Sequence, residues 1–311
     1  MFQTLINAFK NRDVRRKILI TLGMLFLYRL GCWLPVPGIS ANWYSEAQST
    51  DTLLSLLSSI TGGALANGAF LAIGISPYIN ASIIVQLLTI AIPKLEQWSK
   101  QGDEGRKKIS KVSRYLTLFL AIAQATGIVV STAQSGGISN AFFGGGTPTW
   151  LIGCFVAIML VAGSMFTMWL GERITDYGVG NGISLLIFVG IVASAGQAIL
   201  GLIMEIPSSD TAIWELLGFL LMVILIFGFI VFVDLAERRV PIQYAKQVKG
   251  RKMYGGQSTN IPIKVNASGV LPIIFATAIW TFPQLIMSMF WPNSAAYGWW
   301  MRYMGSGTAV Y

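Results

Sequence analysis

Several stretches of this chain, 182–204 and 213–233 among them, run past about 18 residues with hardly a charge, the length that carries an α-helix across roughly 30 Å of hydrocarbon. Hydrocarbon offers a backbone no hydrogen-bond partner, so a segment this apolar must satisfy its own N–H and C=O groups as a helix. The period-two alternation of barrel strands is absent. Composition agrees: 54% of residues are hydrophobic, 11% are charged against about 25% in an ordinary soluble chain, and mean hydropathy is +0.63. The sequence predicts an all-α, polytopic membrane helical bundle with spans near 18–34, 71–92, 115–133, 149–171, 182–204, 213–233 and 265–292. The polar segments between them are short, so the spans form one membrane domain.

The net charge of +9 is explained by topology. Of the 22 lysines and arginines, all but Arg29 and Arg302 fall before the first span, in 94–114, at Arg173 or in 238–264, and these stretches share one side of the membrane. Lysine and arginine stay on the cytoplasmic side, so the N-terminus is cytoplasmic and Tyr311 is outside. Lys10, Arg12, Arg15, Arg16 and Lys17 before an apolar run look like a secretory leader. Arg29 interrupts that run and Gly31 to Pro37 replaces any small-residue cleavage site, which indicates an uncleaved first span. Arg29 lies near the outer end of its span, where it either snorkels to water or pairs with a neighbouring segment.

Between the first span and Ala91 lie two apolar pieces. Leu53 to Asn67, rich in Ser and Gly, is too short to cross, and a crossing would throw the basic stretch 94–114 outside. It must enter and return from the outer side, into a cavity, because irregular backbone at membrane depth needs protein or water around it. A helix lying on the outer surface is the alternative. The following span starts after Gly74, with Ser76 and Pro77 fitting an N-cap and a first-turn proline.

Chemistry is excluded more easily than it is found. The chain has no histidine, and Cys32 and Cys154 are isolated in apolar segments without metal or haem spacing. No cofactor is expected. Spans two to five and seven carry no ionisable residue, which leaves an ion-coupled pump or an intramembrane aspartyl enzyme without working parts. The glycine-rich Gly178 to Gly182 follows no strand, so it is a tight turn permitting close helix approach and not a dinucleotide site. The polar residues inside spans are uncharged: Asn80, Ser82 and Gln86 in the second, Asn266 and Ser268 at the start of the seventh. Such groups seek partners on neighbouring helices.

The segments PVPGI (35–39), TGGAL (61–65), ISPYINASIIVQLL (75–88), EGRKKIS (104–110), MWLGERITDYGVGNGIS (168–184) and YAKQVKGRKMYGGQSTNIPIKVNASGVLPIIF (244–275) resemble the SecY family along essentially the whole chain. The resemblance implies an inverted repeat of two five-span halves. Residues 1–204 are similar to a complete first half, including a plug at 53–67. Residues 205–311 are similar to part of the second, with the sixth and seventh spans, the cytoplasmic loop 234–264, and three further spans lacking. It implies a plug centred on Ser58, Ser59, Ile60, Thr61, Gly62 and Gly63, and a pore ring of Ile75, Ile79, Ile183, Ile187 and Ile274. It implies a lateral gate between the second and seventh spans, with Asn80, Ser82, Gln86 and Asn266 as polar contacts. It further implies a docking surface at Arg106, Lys107, Lys108, Lys246, Lys249, Arg251 and Lys252 for the ribosome or the SecA motor. The expected function is that of a central pore-forming subunit of a protein translocation channel, not an enzyme, working with SecE and SecG on secretory polypeptides that carry signal sequences. The expected location is a bacterial plasma membrane or a thylakoid membrane, with no nucleic-acid role beyond contact with ribosomal RNA. A solute transporter or a membrane assembly factor remains the alternative.

Overall fold

Helices account for nearly all the regular structure, as the apolar runs require. The structure, a computed structural model, describes residues 10–39, 61–65, 67–134, 136–139, 142–143, 146–205, 212–242, 247–249, 252–254, 259–266, 276, 287 and 294–304. Contacts divide the chain into two units, 1–197 with 278–311, and 198–277.

The first unit begins with α1 (Arg12–Gly31), whose N-cap Asn11 accepts the Asp13 N–H through its side chain. The helix starts and stops earlier than the expected 18–34, closing at Cys32, whose N–H reaches the carbonyls of Tyr28 and Arg29. The chain then passes through PVPGI, with an isolated bridge from Pro35 to Ala69 and a turn at Pro37 and Gly38. There Val36 N–H donates to Gly68 O at 2.9 Å and Phe70 N–H to Leu34 O at 2.8 Å. Gly38, at φ +105° in that turn, leads to a second isolated bridge between Ile39 and Ile138.

The expected second span, 71–92, is helical only as α2 (Ser76–Ala91). Residues 67–75 are turns, with Gly68 and Gly74 at positive φ. Ile75 occupies the N-cap position, so Ser76 is the first helical residue and not the expected cap, while Pro77 sits in the first turn as predicted. Pro93 breaks the helix. It removes a donor and drives Ile92 to an extended ψ of 115°, so that α3 (Pro93–Lys100) leaves α2 at 101°. In α3, Lys100 donates to Glu96 at 2.6 Å and holds that carboxyl below the usual carboxylate range.

The basic stretch expected as a loop is instead the start of α4 (Asp103–Gln134), a helix of 32 residues and about 48 Å, longer than a bilayer needs. It packs on α2, α3 and α5 (Thr149–Tyr177). A tight turn leads from α5 to α6 (Gly182–Glu205), which belongs to this unit as far as Gln197, and α8 (Ala295–Met304) belongs to it as well. Two apolar clusters hold the unit. One joins Val36, Leu65 and Ile73 to Ala125 of α4 and Ile152, Val156 and Leu160 of α5. The other lies at the candidate site.

The second unit carries α7 (Ala212–Leu235), exposed at every residue from Leu217 to Phe232, as suits a helix facing hydrocarbon. The expected loop 234–264 contains strands the sequence did not suggest. β1 (Glu237–Ile242) pairs antiparallel with β4 (Thr259–Lys264), and β2 (Gln247–Lys249) with β3 (Lys252–Tyr254). Pro241 and Pro262 are tolerated because each ribbon strand has a free edge. Val265, the expected first residue of the seventh span, still donates to Ala236 O and extends this ladder. Most of that span lies outside the described residues.

Candidate functional site

The site is built on glycine. Gly62 and Gly63 have φ of +70° and +83°, a region closed to most side chains, and they turn the chain sharply after Thr61. A Cβ on Gly62 would stand 2.6 Å from Arg29 Nη1 and 3.0 Å from Gly190 O of α6, so the turn lies against both α1 and α6. Arg29 Nη1 donates to Gly62 O at 3.3 Å, and the Cys32 thiol donates to Thr61 O at 3.9 Å. Of the two roles open to Arg29, the structure shows a hydrogen bond to the 61–65 turn. Thr61 is buried, and its Cγ2 lies 2.8 Å from where a Cβ on Gly74 would be. Of the expected plug residues, Ser58, Ser59 and Ile60 lie outside the described residues.

Ala64 of this turn enters a buried cluster with Leu71 and Ile75, Tyr28 and Cys32 of α1, Leu170 and Ile174 of α5, and Leu186 of α6. Ile79, Ile183 and Ile187 pack against the same cluster, half-buried. Four expected ring isoleucines are thus brought together from the start of α2 and of α6. Ile274 lies outside the described residues.

The 178–182 turn sets where Ile183 and Ile187 stand. Side chains on Gly178 and Gly182 would collide with Ile174 O and Gly171 O, so only glycine lets α6 leave α5 this closely. Asn181 Oδ1 accepts from Ile183 N–H at 3.0 Å, and Thr175 Oγ1 accepts from Gly182 N–H at 2.9 Å. The first amides of α6 are therefore occupied by protein, as expected of a turn and not of a phosphate cradle. Thr21 of α1 accepts Val179 N–H at 3.1 Å and so pins the turn.

Among the described residues no three His, Cys, Asp or Glu side chains converge as a metal site would require. The arrangement is a buried apolar cluster, with branched side chains packed against it and a short glycine turn seated on it.

A family model matches residues 69–311, and its family is SecY. The chain belongs to the SecY family. It is 43% identical over 312 residues to the protein translocase subunit SecY of Streptomyces coelicolor, covering 96% of this chain and 69% of that one. Against the SecY of Escherichia coli K12 the identity is 41% over 281 residues, covering 89% and 62%. Two solved structures share the fold at 21% identity and cover 90% of this chain. One, described as a protein conducting channel, has a TM-score of 0.54 and is covered over 60% of its length. The other concerns the SecY plug domain, with a TM-score of 0.58 and 59% of its length covered. With four helices among the described residues long and apolar enough to span, or five counting the bent α2–α3 pair, this SecY-family chain is an integral membrane protein.

The remaining expected site residues are placed as follows. Asn80 and Ser82 are half-buried on α2 and Gln86 is exposed, while Asn266 is exposed just after β4. Arg106, Lys107 and Lys108 are exposed in the first turns of α4, with Lys108 Nζ 6.0 Å from the Trp98 ring centre. Lys249 pairs with Lys252 across β2 and β3, and Lys246 and Arg251 lie outside the described residues. Sequence reasoning missed the Arg114–Glu172 pair, with bonds of 3.0 and 2.9 Å joining α4 to α5, and missed Thr21. Partners 58 and 158 positions apart leave no local signal.

Proposed function

We propose that this chain supplies the pore of a protein translocation channel, passing unfolded polypeptides across the membrane and releasing apolar segments sideways into it. The observation that carries this is the seating of the 61–65 turn, through Ala64, on the same apolar cluster that Ile75, Ile79, Ile183 and Ile187 pack against.

The physical task is to carry polar groups through a barrier where one charge costs about 2.5–3.5 kcal/mol at the centre. A water-filled funnel removes that cost but would leak ions. Branched aliphatic side chains around a narrow throat exclude water when the throat is empty and yield around a polypeptide. In this mechanism Ile75, Ile79, Ile183, Ile187 and Ile274 form the collar, and the 53–67 segment is a plug entering from the outer side. Asn80, Ser82, Gln86 and Asn266 hold a lateral seam through polar contacts worth about 0.6–2 kcal/mol each, weak enough to open for a signal sequence. Arg106, Lys107, Lys108, Lys246, Lys249, Arg251 and Lys252 form the cytoplasmic docking surface for SecA or the ribosome. SecE and SecG are the companion subunits, the bacterial plasma membrane is the location, and transport is the role, without catalysis by this chain.

A photo-crosslinker at position 183 tests the proposal in the assembled channel. A stalled secretory polypeptide should be captured there and not from the exposed α6 position Ile191. No capture from 183 while translocation proceeds would overturn it.

A further inference from the structure

Arg29 is the residue whose role the translocation mechanism leaves open. Its guanidinium donates to Gly62 O at 3.3 Å, and among the described residues no carboxylate lies within ion-pair distance of it. A Cβ on Gly62 would stand 2.6 Å from Nη1 and 3.1 Å from Nη2. One helical turn on, Cys32 is 1% exposed beneath the same turn, its thiol directed at Thr61 O. A cation held by a backbone carbonyl is bound more firmly than a neutral hydrogen bond would hold it, yet without the commitment of a buried ion pair. That strength suits a contact that must form and break.

We propose that Arg29 is the latch of the 61–65 turn. It positions the turn against α1 while the channel rests, and its bond to Gly62 is broken when the turn leaves. The proposal rests on reading this segment as a plug.

Cys32 is a native reporter, because the turn covers its sulfur. In the assembled channel with the exposed Cys154 replaced (Cys154→Ala), labelling of Cys32 by a membrane-impermeant maleimide from the outer side reads the opening of the turn. When closing outpaces labelling, the rate follows the open population. Arg29→Met should raise that rate about ten- to a hundredfold, the range expected for losing one charge-assisted bond. Arg29→Lys should raise it less. Gly62→Ala, which crowds the guanidinium and strains the turn, should raise it without removing the charge and keeps the test available if Arg29→Met fails to assemble. Arg114→Met, which breaks the α4–α5 ion pair away from the turn, should leave the rate unchanged, so acceleration by it equal to that of Arg29→Met would overturn the latch as mere loosening. An unchanged rate in Arg29→Met would also overturn it. A translocating polypeptide should accelerate labelling in the parent channel. If it does and Arg29→Met does not, the latch alone fails; if it does not, the plug fails and the latch with it.

Discussion

The hydroxyl of Thr21 accepts the backbone N–H of Val179 at 3.1 Å while donating to Lys17 O at 2.9 Å, so one side chain of α1 fixes the turn between α5 and α6. Thr21→Val keeps the shape but leaves that N–H without its acceptor. A buried donor left unpaired costs about 1–3 kcal/mol, and this bond, only part-buried, should lie at the low end of that range. The thermal midpoint in detergent should fall, and Thr21→Ser should recover most of the loss. Equal midpoints for Thr21→Val and the parent would show the pin to be idle.

Glycines on a single helix should separate by what surrounds them. Gly182→Ala drives a methyl into Gly171 O, and the backbones of α5 and α6 must part; a loss of about 2 kcal/mol or more is expected, with Ile183 displaced from the apolar cluster it packs against. Gly196→Ala meets nothing within 4 Å and should gain about 0.5–1 kcal/mol from helix propensity. Unfolding midpoints of the two variants should move in opposite directions.

The Arg114–Glu172 pair is bidentate but half open to its surroundings, with the arginine side chain 51% exposed. Exposed ion pairs contribute about 0.2–1 kcal/mol. A double-mutant cycle with Arg114→Met and Glu172→Gln should give a coupling energy inside that range and falling with salt. A coupling of several kcal/mol would mean that the pair is closed off from water in the assembled channel.

How much of this was legible beforehand follows from the reach of each signal. Helix existence came from apolar length alone, and α5, α6 and α7 lie within a few residues of the expected ends except for the last turns of α5. Boundaries failed where a tertiary contact overrode length. The apolar run 71–75 folds as turns because Gly74 lets Thr61 close upon it. The basic residues 106–114 stay helical because α4 continues into them regardless of hydropathy. The strands of 237–264 were hidden because their side chains are exposed where described on β1 and β4, apart from half-buried Ile242, so no buried face marked a period. At the site, charge topology alone predicts a re-entrant course for 53–67, of which 53–60 and 66 lie outside the described residues, whereas the convergence of the isoleucines came only through resemblance to the family. In a chain this apolar, period does not single out a pore-facing stripe.

Docking is tested by charge. Arg106→Glu with Lys108→Glu should weaken binding of the SecA motor or the ribosome about tenfold or more at low salt, an effect that shrinks as salt is raised. Affinity unchanged at low salt would leave these residues with topology as their only role.

The seal is the central claim, and resting ion conductance of the assembled channel in a planar bilayer measures it most directly. Ile79→Asp combined with Ile183→Asp places two carboxylates at the proposed seal, and the resting conductance should rise at least about tenfold as it wets. Conductance equal to that of the parent channel, with the variant assembled and inserted, would contradict the account.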